Sequence, residues 1–209
     1  MNIVSRFIWR TGFLFTLNWY YRVDVVNRKS FPKKGPVIVA ANHQSNHDPI
    51  VIGHALPRQV HFMAKAELFK NLLLRPIIEW LGAFPVHRGG VDKVAIRHAM
   101  KLLKDNKVLG IFPEGTRQKE GHLGRFHDGV ASMALRTGIG VVPVVVMGTT
   151  AFKRGHIACI IGERISVEKG KATPKAMEAL NNKIRQAMEN MIVDYKETHP
   201  HFYELDYKG

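Results

Sequence analysis

The chain is short of cysteine, and no internal disulfide can hold it together. Its single cysteine among 209 residues is Cys159. A disulfide within the chain needs two cysteines, so this class of stabilisation is excluded. Cys159 lies in the apolar run from Ile157 to Gly162, and we expect it to be buried and unreactive.

Acidic residues are also few. The chain has 17 Asp and Glu against 31 Lys and Arg, which gives a formal net charge of +14. Such an excess indicates an anionic partner: a phospholipid surface, a phosphorylated metabolite, an acidic carrier protein or nucleic acid. The basic residues are dispersed and form no recognisable nucleic-acid reader motif, so we expect no nucleic-acid partner. With 45% hydrophobic and 23% charged residues, the composition is typical of a folded protein.

The N-terminal segment has no apolar run long enough to span a bilayer. No charge occurs over the 11 residues from Thr11 to Tyr21, which as a helix would rise only about 17 Å against a hydrocarbon core of about 30 Å. No small-residue cleavage site follows, so a signal peptide is not expected. Aromatic residues with arginines at both ends favour a helix lying in the membrane interface. The alternative is a helix that packs its aromatic side chains on the protein's own core.

Beyond this segment the pattern favours one α/β domain. The break at residues 30–36, which is rich in Pro, Lys and Gly, divides the chain into an N-terminal interfacial helical segment (1–30) and a domain (31–209). Apolar runs then alternate with helical patterns, which predicts a mostly parallel central sheet flanked by helices. The predicted strands are Val37–Ala41, Val60–Ala64, Ala83–His87, Val108–Phe112, Val141–Met147 and Ala158–Ile161. The predicted helices lie near Pro49–Ala55, Leu68–Leu81, Asp92–Asp105, Gly129–Thr137 and from Pro174 to about Tyr195.

His43 and Asp48 follow the apolar run that ends at Ala41. Open α/β sheets bind their ligands at the carboxyl ends of strands, and a histidine held by a carboxylate can act as a general base. Two alternatives stay open. Asp48 precedes Pro49 and has the residue type of a helix N-cap. His43, His47 and Asp48 are also typical metal ligands.

The segment from Phe112 to Arg117 follows another predicted strand. Gly115 lets backbone approach a ligand closely, Thr116 offers a donor, and the guanidinium of Arg117 can hold a phosphate through two hydrogen bonds. The alternative is a simple turn in which Glu114 forms an ion pair with a nearby cation. Arg88 also stands at a predicted strand end, before two glycines. A second cation there suits a doubly charged phosphate, although a lone arginine is more often solvated surface.

Four segments in this order resemble the PlsC-type glycerolipid acyltransferase family, and specifically its 1-acyl-sn-glycerol-3-phosphate acyltransferases. The resemblance covers roughly residues 35–165. It is carried by Asn42-His43 with Ser45 and Asp48, by Gly82 to Arg88, by Phe112 to Arg117 and by Val141 to Val144, with Ala64 to Leu68 as a further match. A His-x4-Asp spacing alone is a weak motif, but followed by Phe-Pro-Glu-Gly-Thr-Arg it is specific. Family members often carry a lysine near Phe126 to Gly129, where this chain has His127 and Asp128.

The resemblance implies a glycerol-3-phosphate acyltransferase-like fold, with residues 31–209 as the acyltransferase domain. The implied reaction moves a fatty acyl group from acyl-CoA or acyl-carrier protein to the sn-2 hydroxyl of lysophosphatidic acid, giving phosphatidic acid. His43 would be the general base and Asp48 would orient it, with direct attack and no acyl-enzyme. The implied glycerophosphate site consists of Arg88, Glu114, Gly115, Thr116 and Arg117, with Lys65 as a further phosphate contact. The resemblance implies no metal and no cofactor beyond the acyl donor.

The expected cellular location of the protein follows from this chemistry. Lysophosphatidic acid and phosphatidic acid are anionic amphiphiles, so we expect a peripheral protein bound to the anionic cytoplasmic face of the cell membrane. Two alternatives stay open. In one, the acceptor is another lysophospholipid or a lyso-aminolipid. In the other, the chain is a basic membrane-binding module in which His43 is structural.

Overall fold

The computed structural model describes residues 23–73, 75–87, 90, 92–150 and 157–202. Within these residues one seven-stranded sheet is flanked by helices. The strands are β1 (Asp24–Val26), β2 (Val37–Ala41), β3 (Val60–Lys65), β4 (Phe84–Val86), β5 (Val108–Ile111), β6 (Val141–Met147) and β7 (Ala158–Ile161). The α-helices are α1 (Asp48–Ala55), α2 (Arg75–Trp80), α3 (Lys93–Lys104), α4 (Gly129–Thr137) and α5 (Pro174–Thr198), and 3₁₀ helices span Arg28–Ser30 and Ala66–Lys70.

The strand order is β1-β7-β6-β2-β5-β3-β4. Strands β2 to β6 are all parallel, whereas β7 runs antiparallel to β6 and β1 runs parallel to β7. This confirms the predicted α/β fold with a mostly parallel sheet. The carboxyl ends of five strands therefore meet at one edge, which we call the carboxyl edge.

The central strand β2 explains how the sheet is covered. All five of its residues are 0% exposed, as expected for an apolar strand in a parallel sheet with helices on both faces. Ile38 and Ala40 point to a core that includes α3, α4 and α5. Val37, Val39 and Ala41 point to the opposite core, which includes α1 and Cys159. Cys159 is 0% exposed, so the prediction that it is buried is confirmed.

Strand β1 corrects the predicted extent of the N-terminal helical segment. Residues 24–30 were placed in that segment, but the structure shows a strand followed by a 3₁₀ helix. Val25 pairs with Cys159 of β7, so β1 extends the sheet. Three residues, of which Asp24 is exposed and the two valines are partly buried, are too few to show an alternating apolar pattern. Residues 1–22, which carry the predicted interfacial helix, lie outside the described residues.

The helix predicted over 68–81 is interrupted. A 3₁₀ helix ends at Lys70, and α2 begins only at Arg75. Pro76 explains the break, because a proline inside a helix lacks a donor and its ring clashes with the carbonyl four residues earlier. At the second position of α2 both problems disappear. Within the described residues, no helix is both long and apolar enough to cross a membrane.

Pro143 occupies an interior strand, although a proline in a strand usually indicates an edge or a strand start. It lies in β6, between β7 and β2. Its carbonyl accepts a hydrogen bond from the N–H of Gly162 at 2.9 Å, one residue beyond the end of β7. A strand residue directs its nitrogen and its carbonyl to the same side, so the missing donor faces the chain just beyond β7. The pairing shifts by one residue there before Val141 bridges with Ile165, and a proline is tolerated at such a bulge.

Candidate active site

His43 and Asp48 lie together in the loop between β2 and α1. The Nδ1 atom of His43 is 2.8 Å from Oδ2 of Asp48, and Asp48 is 0% exposed. A carboxylate only accepts hydrogen bonds, so Nδ1 donates and Nε2 keeps its lone pair. This is the arrangement in which a histidine accepts a proton from a substrate hydroxyl.

Asp48 is held by three further donors. Its Oδ2 accepts hydrogen bonds from the N–H groups of Gln44 at 2.6 Å and Ser45 at 2.8 Å. Its Oδ1 accepts from the hydroxyl of Thr149 at 2.5 Å. A buried carboxylate needs such partners to offset its lost hydration. Asp48 is the first residue of α1 and accepts bonds from residues before the helix, so the N-cap alternative is wrong.

The metal alternative has little support in the described structure. The Nδ1 atom of His47 lies 2.9 Å from the hydroxyl oxygen of Ser45 rather than beside His43. Among the described residues, no group of three His, Cys, Asp or Glu side chains is placed to hold a metal ion.

The His43 ring is fixed by stacking. It lies on the ring of Phe112 with centroids 4.1 Å apart and planes 17° apart, and Phe112 stacks in turn on Phe62 at 5.0 Å. The carbonyl of His43 accepts the N–H of Gln118 at 2.8 Å. The His43 side chain is 14% exposed, so the ring is mostly enclosed but still reaches the surface.

Asn42 connects the catalytic loop to β6. Its side-chain amide donates to the carbonyl of Val146 at 2.8 Å and accepts the N–H of Val146 at 2.7 Å. The amide group thus continues the pairing of β2 with β6 one residue beyond Ala41. In the sequence, Asn42 stands out only as part of the motif. Its position directly after a buried strand is the signal for this structural role.

Gly115, Thr116 and Arg117 lie exposed at the carboxyl edge, after β5. Gly115 has a φ of +66°, and a Cβ atom there would lie 3.1 Å from Cδ2 of His127. Glycine is therefore favoured by both conformation and space. The hydroxyl of Thr116 accepts a hydrogen bond from Nε2 of Gln118 at 3.2 Å. The turn leaves Arg117 at the surface, beyond the end of β5, which is the strand next to β2.

Glu114 is placed differently from these three neighbours. It is 2% exposed, and neither carboxyl oxygen has a hydrogen-bond partner in the described part of the chain. Burial raises the pKa of Glu114 to about 7, although nearby backbone N–H groups and the charge of Arg185 partly offset the rise. The ion pair considered as an alternative is not formed among the described residues. Glu114 lies beneath the turn rather than on its surface.

Arg185 of α5 holds the loop segment that follows the turn, from Leu123 to Phe126. Its guanidinium donates to the carbonyls of Leu123, at 3.3 Å, and Gly124, and it lies 4.8 Å from the centre of the Phe126 ring. No pattern in the sequence marks Arg185 as part of the site. It is separated from these partners by about 60 residues, and only tertiary structure brings them together.

Lys65 ends β3 at the carboxyl edge, and Arg88 follows β4 in the sequence. The Lys65 side chain is 48% exposed, and its Nζ lies 3.8 Å from a carboxyl oxygen of Glu67. Arg88 lies outside the described residues. The N–H of the preceding residue, His87, donates to Asp92 at 2.9 Å. The described structure thus brings Lys65 to the same edge as His43 and Arg117.

These contacts define a class of protein: an α/β enzyme with a histidine–aspartate pair and an adjoining cationic surface at the carboxyl edge. Such a site suits removal of a proton from a hydroxyl on an anionic substrate. A family model described as Acyltransferase matches residues 22–147. The match covers more than half of the chain, which belongs to this family.

Named relatives carry a more specific description. The chain is 34% identical to a 1-acyl-sn-glycerol-3-phosphate acyltransferase of Bacillus subtilis over 81% of this chain and 89% of that protein. A chloroplastic 1-acyl-sn-glycerol-3-phosphate acyltransferase of Arabidopsis thaliana is 33% identical over 62% of this chain, but the match spans only 37% of that longer protein. Among solved structures, the 1-acyl-sn-glycerophosphate acyltransferase PlsC of Thermotoga maritima superposes with a TM-score of 0.70, at 25% identity, over 90% of this chain and 81% of that one.

Proposed function

We propose that the chain transfers a fatty acyl group from an acyl thioester to the sn-2 hydroxyl of lysophosphatidic acid, giving phosphatidic acid. The observation that carries the proposal is the buried Asp48 carboxylate 2.8 Å from Nδ1 of His43. The names of the relatives support the acceptor. The donor is acyl-CoA or acyl-carrier protein, and this acyl transfer needs no metal and no other cofactor.

In this mechanism His43 acts as the general base. Nε2 removes the proton of the sn-2 hydroxyl as its oxygen attacks the thioester carbonyl. The tetrahedral intermediate collapses, the C–S bond breaks, and the leaving thiolate takes the proton back from the imidazolium. Asp48 orients the ring and stabilises its charged form while the proton is held.

The substrate oxygen attacks directly, without an acyl-enzyme. Cys159 is fully buried on β7, and burial raises the pKa of its thiol far above the usual range. The hydroxyl oxygen of Ser45 lies 2.9 Å from Nδ1 of His47, and among the described residues no hydrogen bond joins it to the His43 ring. Neither side chain is placed as an activated nucleophile.

The acceptor phosphate lies against the exposed turn after β5. Arg117 supplies a guanidinium, and Gly115 and Thr116 supply close backbone and a hydroxyl. Arg88 and Lys65 complete the cationic side of this site. Glu114 supports the turn from beneath, because a buried carboxyl group does not contact a phosphate at the surface.

We also propose that the protein acts as a peripheral membrane protein on the cytoplasmic face. The formal charge of +14 and the aromatic residues of segment 1–22 support this setting. An anionic surface would concentrate a basic protein where its lipid acceptor resides.

Arg117→Ala tests the acceptor site. We expect the KM for lysophosphatidic acid to rise about 10- to 100-fold, because a hydrogen bond to a charged group contributes about 1.5–3 kcal/mol. The KM for the acyl donor should stay unchanged. Steady-state assays of phosphatidic acid formation measure both values.

Arg136→Ala is the matched control, since Arg136 is an exposed arginine in the last turn of α4, shortly before β6 begins at the opposite edge of the sheet. An unchanged acceptor KM in Arg117→Ala would remove Arg117 from the site. Equal rates with lysophosphatidylglycerol or a lyso-aminolipid would argue against a phosphate monoester as the preferred acceptor.

A further inference from the structure

The crossover from β3 to β4 does not cover the sheet. Neither its 3₁₀ helix, Ala66–Lys70, nor α2 contains a buried residue. The next crossover helix, α3, buries Ala95, Ala99 and Leu103. A crossover helix normally packs its apolar face on the sheet, whereas this segment leaves apolar side chains exposed.

The exposed apolar residues are concentrated here. Leu72 and Leu73 are each 82% exposed, Ile77 is 50% exposed and Leu68 is 43% exposed. We call these four residues the crossover patch. Of seven large apolar side chains exposed in the described residues, six lie between residues 68 and 96, and the seventh is Val193 on α5. Scattered exposed apolar residues are normal, but a concentration of them marks an interaction surface.

The crossover patch begins at the same edge of the sheet as His43. The 3₁₀ helix begins directly after Lys65, at the carboxyl end of β3, and packs against β3 and β4. Because β2 and β3 are both parallel to β5, His43 and the start of the crossover lie at the same carboxyl edge.

The charges around the patch suit an anionic partner. Residues 68–77 include Lys70 and Arg75 and no acidic residue. The acidic residues on either side are paired: Glu67 lies 3.8 Å from Lys65, and Glu79 lies 2.8 Å from Arg75. The same pairs also offset Lys65 and Arg75, so Lys70 leaves this segment with one net positive charge. Apolar side chains beside a net positive charge match a layer with anionic headgroups above hydrocarbon.

We propose that the crossover patch inserts into the headgroup boundary of an anionic phospholipid bilayer and turns the carboxyl edge toward the membrane. This contact is separate from segment 1–22 and orients the catalytic domain itself. The inference rests on the proposed function, because this orientation would let a lipid acceptor reach His43 without leaving the bilayer.

A fluorescent probe on full-length protein tests insertion directly. Cys159 is 0% exposed, so a polarity-sensitive maleimide dye labels an introduced cysteine selectively. We would compare Leu72→Cys with the control Val193→Cys, adding vesicles of phosphatidylglycerol and phosphatidylcholine. We expect a blue shift and quenching by lipid-attached quenchers at position 72, and neither change at position 193.

Two results would overturn the proposal. One is a probe at position 72 that does not respond to vesicles. The other is a probe that is already blue-shifted without them, which would mean that the chain itself covers the patch.

Vesicle sedimentation provides a second, independent measurement. Leu72→Ser with Leu73→Ser should lower the partition coefficient by at least about tenfold, because two leucines no longer enter the hydrocarbon. Val193→Ser should leave it unchanged, and equal partitioning of the double variant and wild type would refute insertion.

On a short-chain, monomeric acceptor the double variant should keep the wild-type rate. Absence of acyl transfer by the wild type would instead refute the proposed function and leave the insertion result standing.

Discussion

Two buried carboxyl groups lie at the site, and their surroundings differ. Asp48 accepts hydrogen bonds from four groups, on His43, Gln44, Ser45 and Thr149. Glu114 has no hydrogen-bond partner among the described residues, and burial raises its pKa to about 7. Ionisation of Glu114 in the folded protein is therefore costly, because nearby backbone N–H groups and the charge of Arg185 offset only part of its lost hydration.

This difference predicts a pH effect on stability. The pKa of Glu114 rises from 4.5 to about 7 on folding, so between these values the folded protein binds more protons than the unfolded chain. Stability must then fall as the pH rises. We expect wild type to lose about 2 kcal/mol of unfolding free energy relative to Glu114→Gln between pH 5 and pH 8. Urea unfolding of both proteins at the two pH values measures this difference, and parallel pH profiles would contradict it.

The residues of the site differ in how far sequence could predict them. His43 and Asp48 are five positions apart in one loop, so local spacing indicated their pairing. Thr149 contacts Asp48 from 101 residues away, and Arg185 reaches its loop from another helix. No local pattern marks such partners, because their proximity depends on the order of the strands and the docking of α5.

At the scale of elements, β2 depends on Asn42 for its last connection to β6. The amide of Asn42 satisfies both the N–H and the carbonyl of Val146. Val146 is 1% exposed, so water does not easily replace either bond. The strand end that positions His43 is thus fixed by a side chain acting in place of backbone.

Asn42→Ala should therefore be strongly destabilising. Each buried group left without a partner costs about 1–3 kcal/mol, and we expect a loss of about 2–4 kcal/mol in the free energy of unfolding. Asn46→Ala, in the same loop but exposed, should change it by less than about 0.5 kcal/mol. Urea denaturation compares the two, and similar small losses would show that the amide bridge contributes little.

Elements with strong apolar patterns were predicted well. The bounds of β2, β6, β7 and α4 agree with the sequence prediction, because long apolar runs and clear helical periodicity determine them. The errors have local causes. Strand β1 has only three residues and none of them is buried, and Pro76 starts a new helix within the range 68–81, where one continuous helix is expected.

At the scale of the whole molecule, strand order assembles the site. Strand β2 pairs with β5 and β6 rather than with its neighbours in sequence. This arrangement places His43 beside the turn that carries Arg117. A parallel sheet could be inferred from the alternation of strands and helices, but its order could not, because many orders bury the same apolar runs.

The proposed active site and the proposed membrane contact meet at the carboxyl edge. It carries the His43–Asp48 pair, the exposed turn from Gly115 to Arg117, and the start of the crossover patch. A protein that meets an anionic bilayer at this edge brings base, phosphate site and lipid together. Its formal charge of +14 favours the same encounter.

The central claim is that His43 removes the proton of the acceptor hydroxyl during acyl transfer. The most direct test measures phosphatidic acid formed from lysophosphatidic acid and oleoyl-CoA or oleoyl-carrier protein, comparing wild type, His43→Ala and the neighbouring His47→Ala. We predict product from the wild type, a near wild-type rate from His47→Ala, and a rate at least about 100-fold lower from a folded His43→Ala. A His43→Ala variant that keeps the wild-type rate would contradict the account.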